Sequence, residues 1–184
     1  MDADRVLVDR TLAGELDAFE LLVLRHRDVV FRLAARLVGA GEAEDVTQDA
    51  FLRAFHRLPG YRGEAPFRAW LLRIARNAAL DERARRRDEP LDPAAHPEPG
   101  SGPRTPAERV EQRERLRRLE GKVRLLQPTH RVVLVLRDVE GLSYDEIAQV
   151  TEMPLGSVKG RIHRARSELI DLLRRNTYDW GLPE

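Results

Sequence analysis

The chain has 184 residues, of which 42% are hydrophobic and 34% charged, enough apolar content for one ordinary core or two small ones. It contains no cysteine, which excludes disulfides and thiolate metal sites. No run approaches the roughly 18 apolar residues of a membrane span, and the acidic start Met1-Asp2-Ala3-Asp4 lacks an apolar signal core. A cytoplasmic protein without membrane insertion is therefore expected.

The net charge of +1 conceals a pattern along the chain. Eight acids face four arginines between Glu15 and Ala50, and eight arginines face three acids between Arg62 and Arg87. The stretch Asp88–Pro106 is acidic again, and Lys159–Arg175 sets six basic residues against two acids. Two basic blocks around an acidic spacer point to two contacts with a polyanion. Solvated helix faces produce similar runs, and composition alone does not separate the two readings.

The first predicted helix carries Phe19, Leu22, Val23, Val30, Leu33 and Leu37 at helical spacing and ends at Gly39 and Gly41. The second combines Val46, Ala50 and Ala54 with Phe51, Phe55 and Leu58 and stops at Pro59-Gly60. A short loop, Tyr61–Ala65, precedes Pro66 at a favoured helix-initiating position, and the third helix carries Phe67, Leu71, Ile74 and Ala78 on one side. Its opposite face holds Arg73, Arg76, Asn77, Arg83 and Arg87. The aromatics Tyr61, Phe67 and Trp70 sit beside Arg62 and Arg68, a mixture able to stack on unpaired bases while holding their phosphates. Trp70 reads equally well as core, and Phe67 more readily so.

Between Asp88 and Pro106 lie six of the chain's 11 prolines together with Gly100 and Gly102, a composition that predicts a flexible acidic linker. Beyond it, Pro106–Leu126 reads as a helix through Val110, Leu116, Leu119 and Val123. Gln127-Pro128 breaks it, and His130–Val139 forms a second, apolar helix closed by Glu140-Gly141. The expected class is all-α: a helical domain over residues 1–87, a linker over 88–106, a second helical domain over 107–175 and a tail over 176–184. No alternating strand pattern and no long repeat is present.

Ser143-Tyr144-Asp145-Glu146 is a capping box that opens a short helix with Ile147, Ala148 and Val150 inside. Thr151-Glu152-Met153-Pro154 is a tight break, and a basic helix starts near Leu155. Short helix, brief turn and basic second helix form the helix-turn-helix plan, whose second helix enters the major groove. Projected at ~100° per residue, Val158, Ile162, Ala165 and Leu169 face inward. Gly156, Gly160, His163, Arg164 and Ser167 face out, flanked by Lys159 and Arg161. Arginine and lysine donate to guanine edges or hold phosphates. The five histidines show no metal-ligand spacing. Neither a metal nor a cofactor is expected.

At this point the chain resembles the extracytoplasmic-function sigma factors of bacterial RNA polymerase. The resemblance begins at Gly14–Phe19 and continues through Ala43–Phe55, Tyr61–Glu64 and Phe67–Asn77. It ends in Gly141–Ala148 and Pro154–Arg166. It implies a promoter-specificity factor whose partners are core RNA polymerase (the clamp helices of the largest subunit, and the flap), promoter DNA and an anti-sigma factor. Asp45, Gln48 and Asp49 would dock on the clamp helices. The loop of Tyr61 and Arg62 and the following helix, with Phe67, Trp70, Arg73, Arg76 and Asn77, would capture an unpaired base of the minus-ten element. Lys159, Gly160, His163 and Arg164 would read the minus-thirty-five element, with Ser157, Arg161 and Arg166 completing the set. Gly160 stands where many relatives carry serine.

Two other classes fit parts of the pattern. A stand-alone helix-turn-helix regulator would need a ligand pocket or a modification site in residues 1–87, which are instead arginine-rich. A DNA-processing enzyme needs a nucleophile or clustered carboxylates. The only serines are Ser101, Ser143, Ser157 and Ser167, and beyond the Asp45/Asp49 pair no acid or base converges. No catalytic residue is therefore assigned.

Overall fold

The computed structural model describes residues 3–85 and 106–175. Apart from Pro106, the expected linker lies outside them, as do Arg87 and the tail 176–184. Eight α-helices are present among the described residues, and no strand: α1 (Ala3–Leu12), α2 (Leu16–Val38), α3 (Ala40–Arg57), α4 (Phe67–Arg85), α5 (Pro106–Leu125), α6 (Pro128–Leu134), α7 (Tyr144–Thr151) and α8 (Leu155–Arg174). Helices α1–α4 form one bundle, in which α2, α3 and α4 pack on one another. In the second, α5, α6 and α7 pack on α8.

The α2 stripe folds inward as its spacing requires, with Leu22, Val30, Leu33 and Leu37 buried and Phe19 and Val23 at the margin. Gly39 joins α2 to α3 directly. Its φ of +105° is open to glycine and strained for other residues, while its N–H still donates to Ala35 O. Gly41, expected as part of the stop, lies instead in the first turn of α3, because one glycine suffices for the reversal. Helix α1 had no counterpart in the apolar periodicity. It is held by Leu7 and Val8, both buried, and by Asp4, which accepts from Arg25 Nη1 (2.6 Å) and pairs with His26 Nε2 (2.8 Å).

Helix α4 is buried on more than the expected stripe. Beside Phe67, Leu71, Ile74 and Ala78, residues Ala69, Leu72, Ala75 and Ala79 are also buried. It packs on α2 and α3 along one side and on α7 of the second bundle along another. The face assigned to solvent from periodicity is thus partly covered.

In the second bundle α6 ends at Leu134 and continues as a π-helical turn, Val135–Val139, in place of the single helix expected to Val139. Arg131, placed by its spacing in an apolar helix, is fully buried. It donates to the carbonyls of Val123 (3.2 Å), Arg124 and Leu126 (3.3 Å), satisfying acceptors left open at the end of α5. Burial pushes its guanidinium down to about 10.

The capping box of α7 is complete. Ser143 Oγ accepts from Glu146 N (3.2 Å), and Glu146 Oε2 accepts from Ser143 N (2.8 Å). Ser143→Ala removes one arm and is expected to destabilise the chain by about 1 kcal/mol. Chemical denaturation should show a lowered midpoint, with Ser143→Asp retaining most of the stability.

Candidate nucleic-acid interface

Helix α8 is positioned by a turn with defined backbone chemistry. Glu152 adopts the left-handed conformation (φ +56°), its N–H and that of Met153 both reaching Ala148 O. Pro154 O then accepts from Ser157 N (2.9 Å) and Val158 N (3.1 Å), starting the helix. Val158, Ile162 and Ala165 are buried, with Leu169 partly so. Ser157, Lys159, His163 and Arg164 are exposed on the other side. Nothing lies within 4 Å of a side chain built at Gly156, whereas at Gly160 such an atom would meet Arg164 Nη1 at 3.4 Å. Gly160 therefore leaves a flat place beside the Arg164 guanidinium, which a side chain there would meet at ordinary contact distance.

Two of the residues assigned to this face point elsewhere. Arg166 is turned back onto the π-helical turn, where Nε reaches Asp138 Oδ2 at 3.0 Å; the carboxylate raises the guanidinium's pKa by hydrogen bonding. Its work is to tie α8 to the preceding elements. Arg161 is half-buried and lines a cavity of about 30 Å³ with Arg76 and Leu80 of α4 and with Pro128 and Met153. Periodicity placed Arg161 at the edge of the exposed arc and the resemblance added Arg166, and distant partners decide which way they turn.

The aromatic site of the first bundle is assembled from the loop and the start of α4. The ring centroids of Tyr61, Phe67 and Trp70 are 5.1–5.8 Å apart in tilted or edge contacts. Tyr61 Oη donates to Ala65 O (2.7 Å), closing the loop on itself. Phe67 is buried at 1% exposure and cannot present a face to a base in this conformation. Its place among the contact residues is corrected to that of a floor, under the half-buried Tyr61 and Trp70. Arg62 is exposed beside them. Gly63 has φ +72°, and an added side-chain atom there would come within 1.9 Å of Arg5 Nη1. Arg5, on a helix with no apolar signature in the sequence, is thus a second cation at this loop.

Arg73, Arg76 and Asn77 share the far side of α4 and are half-buried. Arg73 Nη1 lies 3.6 Å from Glu152 Oε1 in the helix-turn-helix turn. Arg76 is half-buried; Nη1 donates to Asn77 Oδ1 (3.0 Å), while Nε is buried without a partner. Burial pulls its guanidinium below the ordinary value, with Glu152 opposing.

On α3 the residues Asp45, Gln48, Asp49, Leu52 and Phe55 fall on one side. Asp45 and Gln48 are exposed. Asp49 is held by Arg53 (2.8 Å), which also reaches Asp81 on α4 (2.7 Å); these two carboxylates raise its pKa. Leu52 is 61% exposed and Phe55 37% exposed. Phe55, expected inside, touches Phe19 edge-on at 4.9 Å and His56 at 6.1 Å and keeps part of its ring in solvent. The α3 face is therefore acidic at one end and apolar at the other, and the apolar half was hidden by assigning Phe55 to the core.

A groove of about 1290 Å³ runs between α2, α5, the π-helical turn and α8. Its floor includes Phe31, Leu116, Val123 and Leu169, and arginines 27, 32, 36, 117 and 166 line it. No sequence motif announced it, because its walls come from segments some 90 residues apart. Among the described residues no group of three or more His, Asp or Glu side chains could hold a metal, and no helix is long and apolar enough to cross a membrane.

Comparison with known proteins finds two family matches along the chain. Residues 22–89 match the Sigma-70 region 2 family and residues 116–169 match Sigma-70, region 4. The ECF RNA polymerase sigma-E factor of Escherichia coli (strain K12) is 38% identical over 177 residues, covering 91% of this chain and 92% of that one. The RNA polymerase sigma-H factor of Pseudomonas aeruginosa is 36% identical over 180 residues, 92% of this chain and 93% of its own. Among solved structures, CnrH in complex with the cytosolic domain of CnrY superposes with a TM-score of 0.71 at 35% identity, over 96% of this chain and 100% of that one. Two region matches in order and identity along nearly the whole length leave one assignment: the chain belongs to the sigma-70 family, as an extracytoplasmic-function sigma factor.

Proposed function

We propose that this sigma factor divides its work among three faces, with polymerase docking on α3, minus-thirty-five readout on α8 and capture of the unpaired minus-ten strand at the Tyr61–Trp70 site. Its activity as a family member is to bind core RNA polymerase and direct initiation at promoters. The observation that carries the division is the outer face of α8, where Lys159, His163 and Arg164 stand exposed around a flat glycine. Bond-making belongs to the polymerase, and the chain supplies recognition alone, in the cytoplasm where the polymerase works.

On α3, exposed Asp45 and Gln48 steer and register a polar partner, while Leu52 and Phe55 supply apolar area to bury. At the loop, Tyr61 and Trp70 offer ring faces, and Arg62 and Arg5 hold phosphate. The groove between the bundles is the seat of an anti-sigma partner. Its apolar floor, rimmed by both arginines and acids, fits the apolar face of an amphipathic segment, and its structural neighbour CnrH was solved with the cytosolic domain of CnrY.

Three measurements test these assignments. Asp45→Arg combined with Leu52→Glu should abolish co-purification with core polymerase while leaving the helical circular dichroism unchanged; normal co-purification removes α3 as the docking face. Arg164→Ala should lose ~1–3 kcal/mol of discrimination at one base pair, whereas Lys159→Ala should weaken all sequences alike and reduce the salt slope by about 1. A competition assay on a minus-thirty-five library separates them, and Arg166→Ala should leave base preference unaltered. Trp70→Ala should lose ~1–3 kcal/mol of stacking on the unpaired strand. Permanganate footprinting should then show slowed opening of duplex promoters, partly rescued on a premelted bubble, with minus-thirty-five binding intact.

A further inference from the structure

Helix α1 left no periodic signal, and the match to Sigma-70 region 2 begins only at residue 22, after it. Its placement is nevertheless specific. Leu7 and Val8 are buried, and the helix packs on α2 and on the short turn Leu58–Gly60 that leads into the Tyr61–Ala65 loop. Asp4, in its first turn, is anchored to α2 by two neighbouring side chains. Arg25 Nη1 donates to Oδ1 at 2.6 Å, and His26 Nε2 pairs with Oδ2 at 2.8 Å. A carboxylate only accepts, so Nε2 carries the proton of that bond. Burial pulls the imidazole below its ordinary range, with Asp4 opposing, and the ring is therefore neutral at pH 7. His26 is buried, and its ring lies 5.5 Å from that of Phe67, the floor under Tyr61 and Trp70.

Arg5 follows Asp4 directly in the chain, so anchoring one restricts the other. Its guanidinium lies against Gly63, in the space that a side chain at that position would fill. Half of the Arg5 side chain remains in water, and Asp9, 3.5 Å from Nε, is more exposed still. An ion pair exposed on both sides holds weakly. Asp9 therefore leaves the guanidinium available to a stronger anion. Arg62, exposed in the same loop, is the second cation there.

We infer that α1 is part of the strand-capture site: Arg5 holds a phosphate of the unpaired minus-ten strand at the Gly63 edge of the loop, and Asp4, through Arg25 and His26, positions it. This rests on the Tyr61–Trp70 loop being the capture site, as proposed above, and extends that site onto a helix outside the matched region. A base held against the Tyr61 or Trp70 ring brings its flanking phosphates to the rim of the loop, where Arg62 and Arg5 stand. Arginine suits that place because its planar fork meets two phosphate oxygens at once. Arg5 is the contact residue, and Asp4 acts only through it.

The test uses holoenzyme assembled from the full-length chain and core polymerase, titrated with a fluorescent single-stranded oligonucleotide of the non-template minus-ten region. Arg5→Ala should lower the log–log salt dependence of binding by about 0.7, the contribution of one phosphate contact on a single strand. Between roughly 50 and 200 mM salt the parent's affinity should then fall about threefold further than the variant's. Arg5→Lys keeps the charge and should keep the slope. Asp4→Ala should weaken strand binding as Arg5→Ala does, and the double variant should be no weaker than Arg5→Ala alone. Asp4→Asn, which still accepts from His26, should lie between Asp4→Ala and the parent. Helical circular dichroism and binding of a minus-thirty-five duplex should be unchanged throughout. An unchanged slope in Arg5→Ala overturns the phosphate contact, because a mere brace for the loop weakens binding equally at every salt concentration. Additive losses in the double variant overturn the positioning role of Asp4. Trp70→Ala separates this inference from the reading beneath it. If Trp70→Ala weakens strand binding and Arg5→Ala does not, the role of α1 falls and the capture site stands. If neither variant weakens binding, the capture site falls with it.

Discussion

The burial of one carboxylate between two arginines sets how the halves of this molecule meet. Glu140 is almost fully desolvated, while Arg32 and Arg68 keep about a third of their side-chain surface in water. The cost of burying the acid is thus met by a fork and a carbonyl contact, and the guanidiniums remain partly hydrated. Such arrangements are close to neutral in net stability and costly to break from one side, by roughly 3–5 kcal/mol when a partner is deleted. A contact of that kind contributes orientation more than strength. It holds the entry to the helix-turn-helix against α2 and α4.

Much of the fold follows from the spacing of apolar residues. The inward stripes of α2 and α8, the capping box at Ser143 and the break at Pro154 are local, each decided within a few residues by helix geometry and by backbone donors that need an acceptor. The exposed arc of α8 was legible for the same reason. Lys159, His163 and Arg164 lie opposite Val158, Ile162 and Ala165 whatever the rest of the chain does.

Where the sequence misled, a partner far along the chain had intervened. Arg73 and Arg76 lie on the polar side of α4 as their spacing requires, yet that side is partly covered by a turn some 80 residues later. Arg166 belongs to the basic run of α8, but its guanidinium is engaged by Asp138 at the surface. Phe67 lies among arginines and aromatics that suit nucleic acid, and its burial under Tyr61 and Trp70 comes from packing. Helix α1 left almost no periodic trace because two buried side chains, Leu7 and Val8, and a carboxylate suffice to dock it. Angle around a helix is a property of the sequence, whereas which neighbour occupies that angle is a property of the tertiary structure.

The contact at Glu140 carries an evolutionary consequence. Its members come from α2, from α4 and from the entry to the helix-turn-helix, with Arg68 72 residues and Arg32 108 residues from Glu140 along the chain. A change at position 32 or 68 leaves a buried carboxylate short of a donor, so these positions and position 140 are expected to vary together across lineages rather than one at a time.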